Sequence, residues 1–327
     1  MEPLNLHGWL PIRIFARQGQ WWVDWCWFGD QPLHQPFFRE AVDAALRLPF
    51  NQAFRRETPL ATLNQWQAES PGSEPQAFIC HASRCGSTLI SQMLAQLDGY
   101  TVISEPPPLD SLLRSGLPAD TLAAALRGLL SAYGQARGFV EQRLVIKLDA
   151  WNIGELPLLR RSFATTPWLF VYREPLEIAV SHLRRSGMHM VPGLIGPSAL
   201  DDAESGFERE AFIAQRLGRL LQLGLERCVE FEGLAVNYSE LPQAMAGRLA
   251  RFFGLGAEQC ARAFARVEQH AKQPDQVFVA DGASKRDEAS ALLREQVERR
   301  ARGPYERLEN LRAAQASSCG DTAGSGF

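Results

Sequence analysis

Apolar positions along this chain follow two different spacings. From Ala77 to Tyr238, short continuous apolar runs alternate with stretches whose apolar residues fall three and four apart, such as Leu89, Ile90, Met93, Leu94 and Leu97. The runs suit buried strands and the spaced stretches suit amphipathic helices. Strands are therefore predicted at 77–80, 100–103, 143–147, 168–172 and 233–237, with helices between them. This alternation predicts an α/β fold with a central parallel sheet flanked by helices.

Ahead of the sheet, Ile12–Phe15 and Trp21–Phe28 flank the turn-like Gln18-Gly19-Gln20 and predict a hairpin. Trp21, Val23, Trp25 and Trp27 share one face, which must be covered, and Phe37–Leu48 is the predicted covering helix. Core packing accounts for such a stripe, and its functional alternative is an aromatic platform for an acceptor or partner. Glu69–Gln76 has the composition of a linker, and the stretch from Gly187 to Gly206, rich in Gly, Pro and Ser, reads either as a substrate lid or as a mobile surface loop. Beyond Ser239 the pattern is mainly helical, ending in a predicted disordered tail. The expected organisation is an aromatic-rich extension over 1–70, an α/β domain over 75–312 and a tail over 313–327.

The junction between the first central strand and its helix carries the chemistry. Gly86 permits a left-handed turn or a close ligand approach, and the first N–H groups of the helix lack partners within it. Arg84 adds a delocalised positive charge, while Ser87 and Thr88 add hydroxyl donors to the same cradle. The expected ligand is a phosphate group. The nucleoside-triphosphate loop G-x-x-x-x-G-K-[ST] needs a Gly five residues before Gly86 and a Lys after it, where this chain has His81 and Ser87. A second anion grip is predicted where Arg173 ends the strand 168–172 and Ser181 follows two turns into the next helix. In open α/β sheets ligands bind outside the carboxyl ends of the strands, so Arg173 and Arg84 point to one edge.

Ser83-Arg-Cys-Gly-Ser-Thr-Leu89 after a strand resembles the 5′-phosphosulfate loop of the sulfotransferase family, and Arg173-x7-Ser181 resembles that family's 3′-phosphate site. The resemblance covers about 75 to 290. It implies a P-loop-like sheet and 3′-phosphoadenosine-5′-phosphosulfate (PAPS) as donor. Arg84, Cys85, Gly86, Ser87 and Thr88 would lie around the 5′-phosphosulfate, and Arg173 and Ser181 around the 3′-phosphate. Val236-Asn-Tyr238-Ser-Glu-Leu241 is similar to the family's Val-x-Tyr-Glu-Asp-Leu stretch, with Ser239 as a departure, and implies Tyr238 near the nucleotide. Ser284-Lys285-Arg286 resembles the basic segment that returns over it.

Sulfuryl transfer asks for a positioned acceptor hydroxyl, a base and cations for the leaving phosphate. Val-Ile-Ser-Glu105-Pro matches the place of a Glu base in the tyrosylprotein and several bacterial sulfotransferases. The cytosolic sulfotransferases instead use a His shortly after a Lys on a later strand, where this chain reads Lys147-Leu-Asp149. Glu105 is the preferred base and His81 a second candidate, while Lys147 could reach the acceptor side or the leaving group. No metal is required, because the loop supplies the cations. The expected partners are PAPS or its product 3′-phosphoadenosine-5′-phosphate (PAP), and a hydroxyl-bearing or amine acceptor whose identity no stretch encodes. The alternatives are a phosphate-loop nucleotide kinase and a non-catalytic nucleotide-binding interaction module.

Composition narrows this further. At 327 residues, 46% hydrophobic and 22% charged, the chain can bury a large α/β core and carry an extension. A net charge of −3 gives no global attraction to nucleic acid or anionic membrane, so a polyanionic ligand must be held by local Arg and Lys. Cys26, Cys80, Cys85, Cys228, Cys260 and Cys319 lack paired zinc-type spacing, and neither disulfides nor a metal site is expected. Glu2, Asn5, His7 and Arg13 stand where a leader would carry basic and apolar segments, and no apolar run approaches membrane-spanning length. A cytoplasmic location is the expectation.

Overall fold

All five predicted central strands form, each within two residues of its expected bounds. The computed structural model describes residues 5–137, 143–201, 208–271 and 282–318. In chain order the strands are β1 (Trp9–Arg17), β2 (Gln20–Trp27), β3 (Arg56–Pro59), β4 (Pro75–His81), β5 (Tyr100–Ser104), β6 (Arg143–Lys147), β7 (Trp168–Tyr172) and β8 (Leu234–Asn237). The last five make one sheet in the order β5-β6-β4-β7-β8, with every pairing parallel. Phe78, Ile79, Val145, Ile146, Leu169 and Phe170 are fully buried, as expected of strands covered on both faces. Sheet growth reverses beside β4, and the crevice beyond the strands' carboxyl ends opens there.

The N-terminal residues form an antiparallel sheet, β1-β2-β3. The hairpin turns at Gln18-Gly19, and the helix Phe38–Leu46 packs on β2 as predicted. Val23 and Trp25 are buried and Trp21 and Trp27 half-buried, so the aromatic stripe is core. β3 was not legible: Arg-Glu-Thr-Pro has no apolar alternation, and it pairs at the edge, where Thr58 Oγ1 accepts the Trp25 Nε1 hydrogen bond at 2.9 Å. Phe38 packs on Tyr133, whose hydroxyl donates to the Pro11 carbonyl at 3.0 Å. These contacts moor the extension to the helix Ala119–Tyr133 and bring Phe37, Arg39 and Glu40 to the sheet's carboxyl edge.

The C-terminal half is mainly helical, and its long helices Arg209–Glu230 and Ala291–Ser318 pack closely together. The predicted tail boundary at 313 is corrected, because the last helix continues to Ser318. Leu311-Arg-Ala-Ala-Gln-Ala316 consists of strong helix formers. Its Gln315 bonds the edge strand, accepting from the Ala235 N–H at 2.9 Å and donating to the Gly233 carbonyl at 2.8 Å. Residues 319–327, with Cys319, lie outside the described residues. The segment from Gly187 is pinned by Arg114, which donates to the Pro197 carbonyl at 2.9 Å, and by Arg216, which donates to the His189 carbonyl at 2.5 Å and pairs with Asp201. Its remaining stretch, 202–206, also lies outside the described residues.

Among the described residues, no helix is long and apolar enough to cross a membrane, and no group of three or more His, Cys, Asp or Glu is placed to hold a metal ion.

A Cβ on Gly218 would stand 2.3 Å from the Arg300 carbonyl oxygen, so the two long helices meet where only glycine fits. Gly218→Ala is expected to destabilise the fold by about 1–3 kcal/mol through overpacking, read as a lower urea midpoint with an unchanged m-value.

Candidate functional site

β4 ends at His81, and the chain turns through Ala82 to Gly86 before the helix Ser87–Ala95. The turn places left-handed backbone at Ser83 (φ +62°), Arg84 (φ +49°) and Gly86 (φ +87°). Glu105, just beyond β5, has φ +52°. Three of the five non-glycine residues at positive φ among the described residues thus line one cavity. Such backbone costs a non-glycine residue roughly 1–2 kcal/mol, and outliers of this kind concentrate where function needs a fixed geometry. A Cβ on Gly86 would meet the Tyr238 ring at 2.7 Å. The same ring lies 4.1 Å from the Arg173 guanidinium, so Tyr238 bridges the loop and the second predicted grip.

Strand ends bring the titrating groups together. The register that sets Ser104 beside Lys147 places Glu105 next to that lysine, and the Glu105 N–H donates to the Lys147 carbonyl at 2.7 Å. Glu105 Oε1 lies 2.6 Å from Lys147 Nζ and 3.2 Å from His81 Nε2. The Ser83 N–H donates to His81 Nδ1 at 3.0 Å, so the imidazole proton sits on Nε2, toward Glu105. The Lys147 side chain is 0% exposed; its Nζ donates to Thr88 Oγ1 at 3.3 Å and lies 4.7 Å from the centre of the Phe37 ring. Burial opposes ionisation of Glu105, but the nearby His81 imidazole and the Lys147 charge prevail and hold it at about 2. Burial, aided by Lys147, lowers the His81 pKa despite the pull of Glu105 and keeps the ring neutral.

These residues bound a cavity of about 610 Å³ lined by the Ser83–Thr88 loop, Asp149–Trp151 and Arg185–His189, together with Phe37 and Glu40. A second lobe of about 340 Å³ shares Phe37, Glu105, Asp149, Trp151 and Met188 and extends to Arg39, Pro107 and Asp110. Arg84 crosses the cavity mouth to donate to the Arg185 carbonyl at 2.8 Å.

The sequence-predicted residues fall into two groups. Arg84, Gly86, Ser87, Thr88 and Glu105 line the cavity, with Lys147 behind them. Cys85 belongs to this loop, with its side chain directed inward. The thiol is fully buried, donates to the Val171 carbonyl at 3.1 Å and is pushed up by burial to about 12, which leaves only the Cys85 backbone for a ligand. Arg173 and Ser181 lie apart from the cavity, gathered around Glu177. Arg173 donates from Nε to Glu177 Oε2 at 2.6 Å, its Nη2 lies 2.6 Å from the same oxygen, and Ser181 Oγ donates to the Glu177 carbonyl at 2.8 Å. Arg286 Nη1 meets the other carboxylate oxygen at 2.5 Å. The helix Gly282–Glu288, which carries Arg286 and the buried Lys285, packs on Pro175–Arg184 and brings Arg286 to the carboxylate that Arg173 also meets.

Sequence reasoning missed Phe37, Asp110, Trp151, His189 and Glu177, and noted Asp149 only as the absence of a His. Two-residue periodicity beyond Lys147 was the available signal for Asp149. The residue is 9% exposed, and its carboxyl has no hydrogen-bond partner among the described residues. Asp110, by contrast, accepts from Trp151 Nε1 and Asn152 Nδ2, each at 2.7 Å.

A glycine-turned loop and a helix N-terminus stand at the reversal point of a parallel sheet, backed by a buried lysine, which is the class of α/β architecture whose ligand crevice lies at the strands' carboxyl edge. No family model matches the chain, and no curated protein matches it in sequence. Among solved structures it is similar to sulfotransferase STF9 from Mycobacterium avium, at 11% identity over 68% of this chain and 77% of that one, with a TM-score of 0.44. It is also similar to sulfotransferase STF1 from Mycobacterium tuberculosis H37Rv, at 14% identity over 72% and 81% with a TM-score of 0.42. A third similar structure is mouse sulfotransferase SULT7A1 complexed with PAP, at 13% identity over 79% and 92% with a TM-score of 0.38. The likeness is in the course of the backbone; the residues of the site bear the chemical argument.

Glu105→Gln leaves the Lys147 ammonium buried without its counter-charge, and a loss of about 3–5 kcal/mol is expected from urea unfolding at neutral pH. Because Glu105 is held below its ordinary 4.5, its contribution is present above that pH and is lost as pH falls toward 2. The acid-side slope of stability over that window should be shallower in Glu105→Gln than in the wild type.

Proposed function

We propose that this protein transfers a sulfuryl group from PAPS to the hydroxyl, or less readily the amine, of an acceptor. The observation that carries this reading is the position of Lys147. Its buried ammonium stands between Thr88 of the anion loop and Glu105 of the cavity, where a cation can take up charge on a leaving phosphate. The loop Arg84, Gly86, Ser87 and Thr88 suits the 5′-phosphosulfate. Arg173, Ser181, Lys285 and Arg286 suit a 3′-phosphate, which competes with the Glu177 carboxylate for the two arginines. Tyr238, in contact with both grips, supports one nucleotide reaching from loop to second site.

Glu105 enters this reading as the fixed negative charge that keeps Lys147 in place. The expected role as base is weakened by the same contacts, because a carboxylate held at about 2 is a poor proton acceptor at neutral pH.

Isothermal titration calorimetry with PAP, AMP and ATP tests the donor. PAP is expected to bind at least about tenfold more tightly than AMP, the worth of a charge-assisted hydrogen bond or two, and Arg173→Ala should erase that preference. Equal affinities for PAP and AMP in the wild type, or consumption of ATP with Mg²⁺, would remove the PAPS reading. A phosphate in the loop also supplies a counter-charge to Lys147, so saturating PAP should raise the melting temperature of Glu105→Gln by more than it raises that of the wild type.

A further inference from the structure

Two carboxyl groups face the place where the lobes of the cavity meet, and their surroundings are opposite. Glu105 is bound by Lys147 and His81. Asp149 lines both lobes, is 9% exposed and has no hydrogen-bond partner among the described residues. Its backbone is held firmly, since its carbonyl accepts from the Asn152 N–H at 3.0 Å as the 3-10 turn Ala150–Ile153 begins. One lobe carries the anion loop; the other is walled chiefly by the apolar surfaces of Phe37, Pro107, Trp151 and Met188. A bound molecule with an apolar body in the second lobe can therefore present a hydroxyl at the junction, where Asp149 has free lone pairs.

We propose that Asp149 is the catalytic base, taking the proton of an acceptor whose apolar body, an aryl or alkyl group, lies in the lobe lined by Phe37, Pro107, Trp151 and Met188. This rests on the sulfuryl-transfer reading. In the step, the acceptor oxygen bonds to sulfur while the S–O bond to the 5′-phosphate breaks. The electron pair leaves on the phosphate oxygen of PAP beside Lys147, and the acceptor proton passes to the Asp149 carboxylate. Burial pushes Asp149 well above the ordinary carboxylate range, Glu105 and Asp110 add to the push, and Lys147 and Arg114 oppose it. Arg39, Glu40, His81, Arg84, Arg185 and His189 are the other charged and imidazole groups along the same lobes. Two acids whose environments drive them apart divide their roles, the low one as fixed charge and the high one as proton carrier.

The test uses the full chain with ³⁵S-labelled PAPS and three acceptors: phenol, 2-phenylethanol and 4-nitrophenol. Asp149→Asn should bind PAP within about threefold of the wild type and lose about 10²- to 10⁴-fold in transfer to phenol and 2-phenylethanol. The loss should shrink for 4-nitrophenol, a far stronger acid than the other two, which is in good part ionised at neutral pH and needs less help from a base. The wild-type rate should rise with pH as Asp149 ionises, a limb that Asp149→Asn should lack and Glu105→Gln should keep. A purely structural role for Asp149 would move neither the acceptor dependence nor the limb. Asp149→Asn transferring to all three acceptors at the wild-type rate, or retaining the limb, overturns the assignment alone. A wild type that moves no sulfate to any of them or to water overturns the proposed function, and this inference with it.

Discussion

A buried ammonium must have a counter-charge, and the organisation of this protein's site depends on how Lys147 obtains one. Its side chain is wholly enclosed, with Glu105 at 2.6 Å as its ionic partner. Desolvating an ion costs several kcal/mol after relaxation, and only a short, well-formed pair offsets that cost. Glu105 accepts left-handed backbone to make the contact, and His81 places its Nε2 3.2 Å from the same carboxylate, in a tautomer fixed by the Ser83 N–H. The strain in the loop, the ring orientation and the pair belong to one arrangement. Changing any one of them disturbs the electrostatics of the others.

Sheet order makes this arrangement possible. Because β6 inserts between β5 and β4, the ends of three strands that are distant in sequence come side by side, carrying Lys147, Glu105 and His81. β7 on the far side of β4 ends at Arg173, and Tyr238 after β8 leans back over Arg173 to Gly86. The loop and the second basic cluster are therefore coupled through one aromatic ring, although they draw on different halves of the chain. The N-terminal extension contributes to the same edge through Phe37, which lays its ring against Lys147.

The central strands were legible because continuous apolar runs such as Trp168-Leu-Phe-Val-Tyr172 have no other comfortable place than a covered sheet. The turn at Gly86 and the helix that follows were legible for a similar local reason: residue types and spacing near one another determined them. Relations across the sheet were not. Nothing near Asp149 announces that Glu105 and Asp110 will crowd it, nor does Arg173-Glu-Pro-Leu-Glu177 announce that Arg286 arrives to share the same carboxylate. Those facts come from parallel crossovers, which leave no periodic trace. β3 escaped notice because its pairing is set by neighbouring β2 rather than by its own polar residues. The tail boundary was misread because Gln315 looks like a solvent residue until the strand it bonds is known.

Gln315 has a wider consequence. The outer edge of a sheet exposes unpaired backbone donors and acceptors to any passing strand. Here the primary amide of one glutamine engages the Gly233 carbonyl and the Ala235 N–H, acting as a one-residue substitute for a neighbouring strand, while the helix that bears it packs along β8. Growth of the sheet by recruitment of another chain is thereby blocked on that side. The terminal helix is a seal against self-association as well as a packing element.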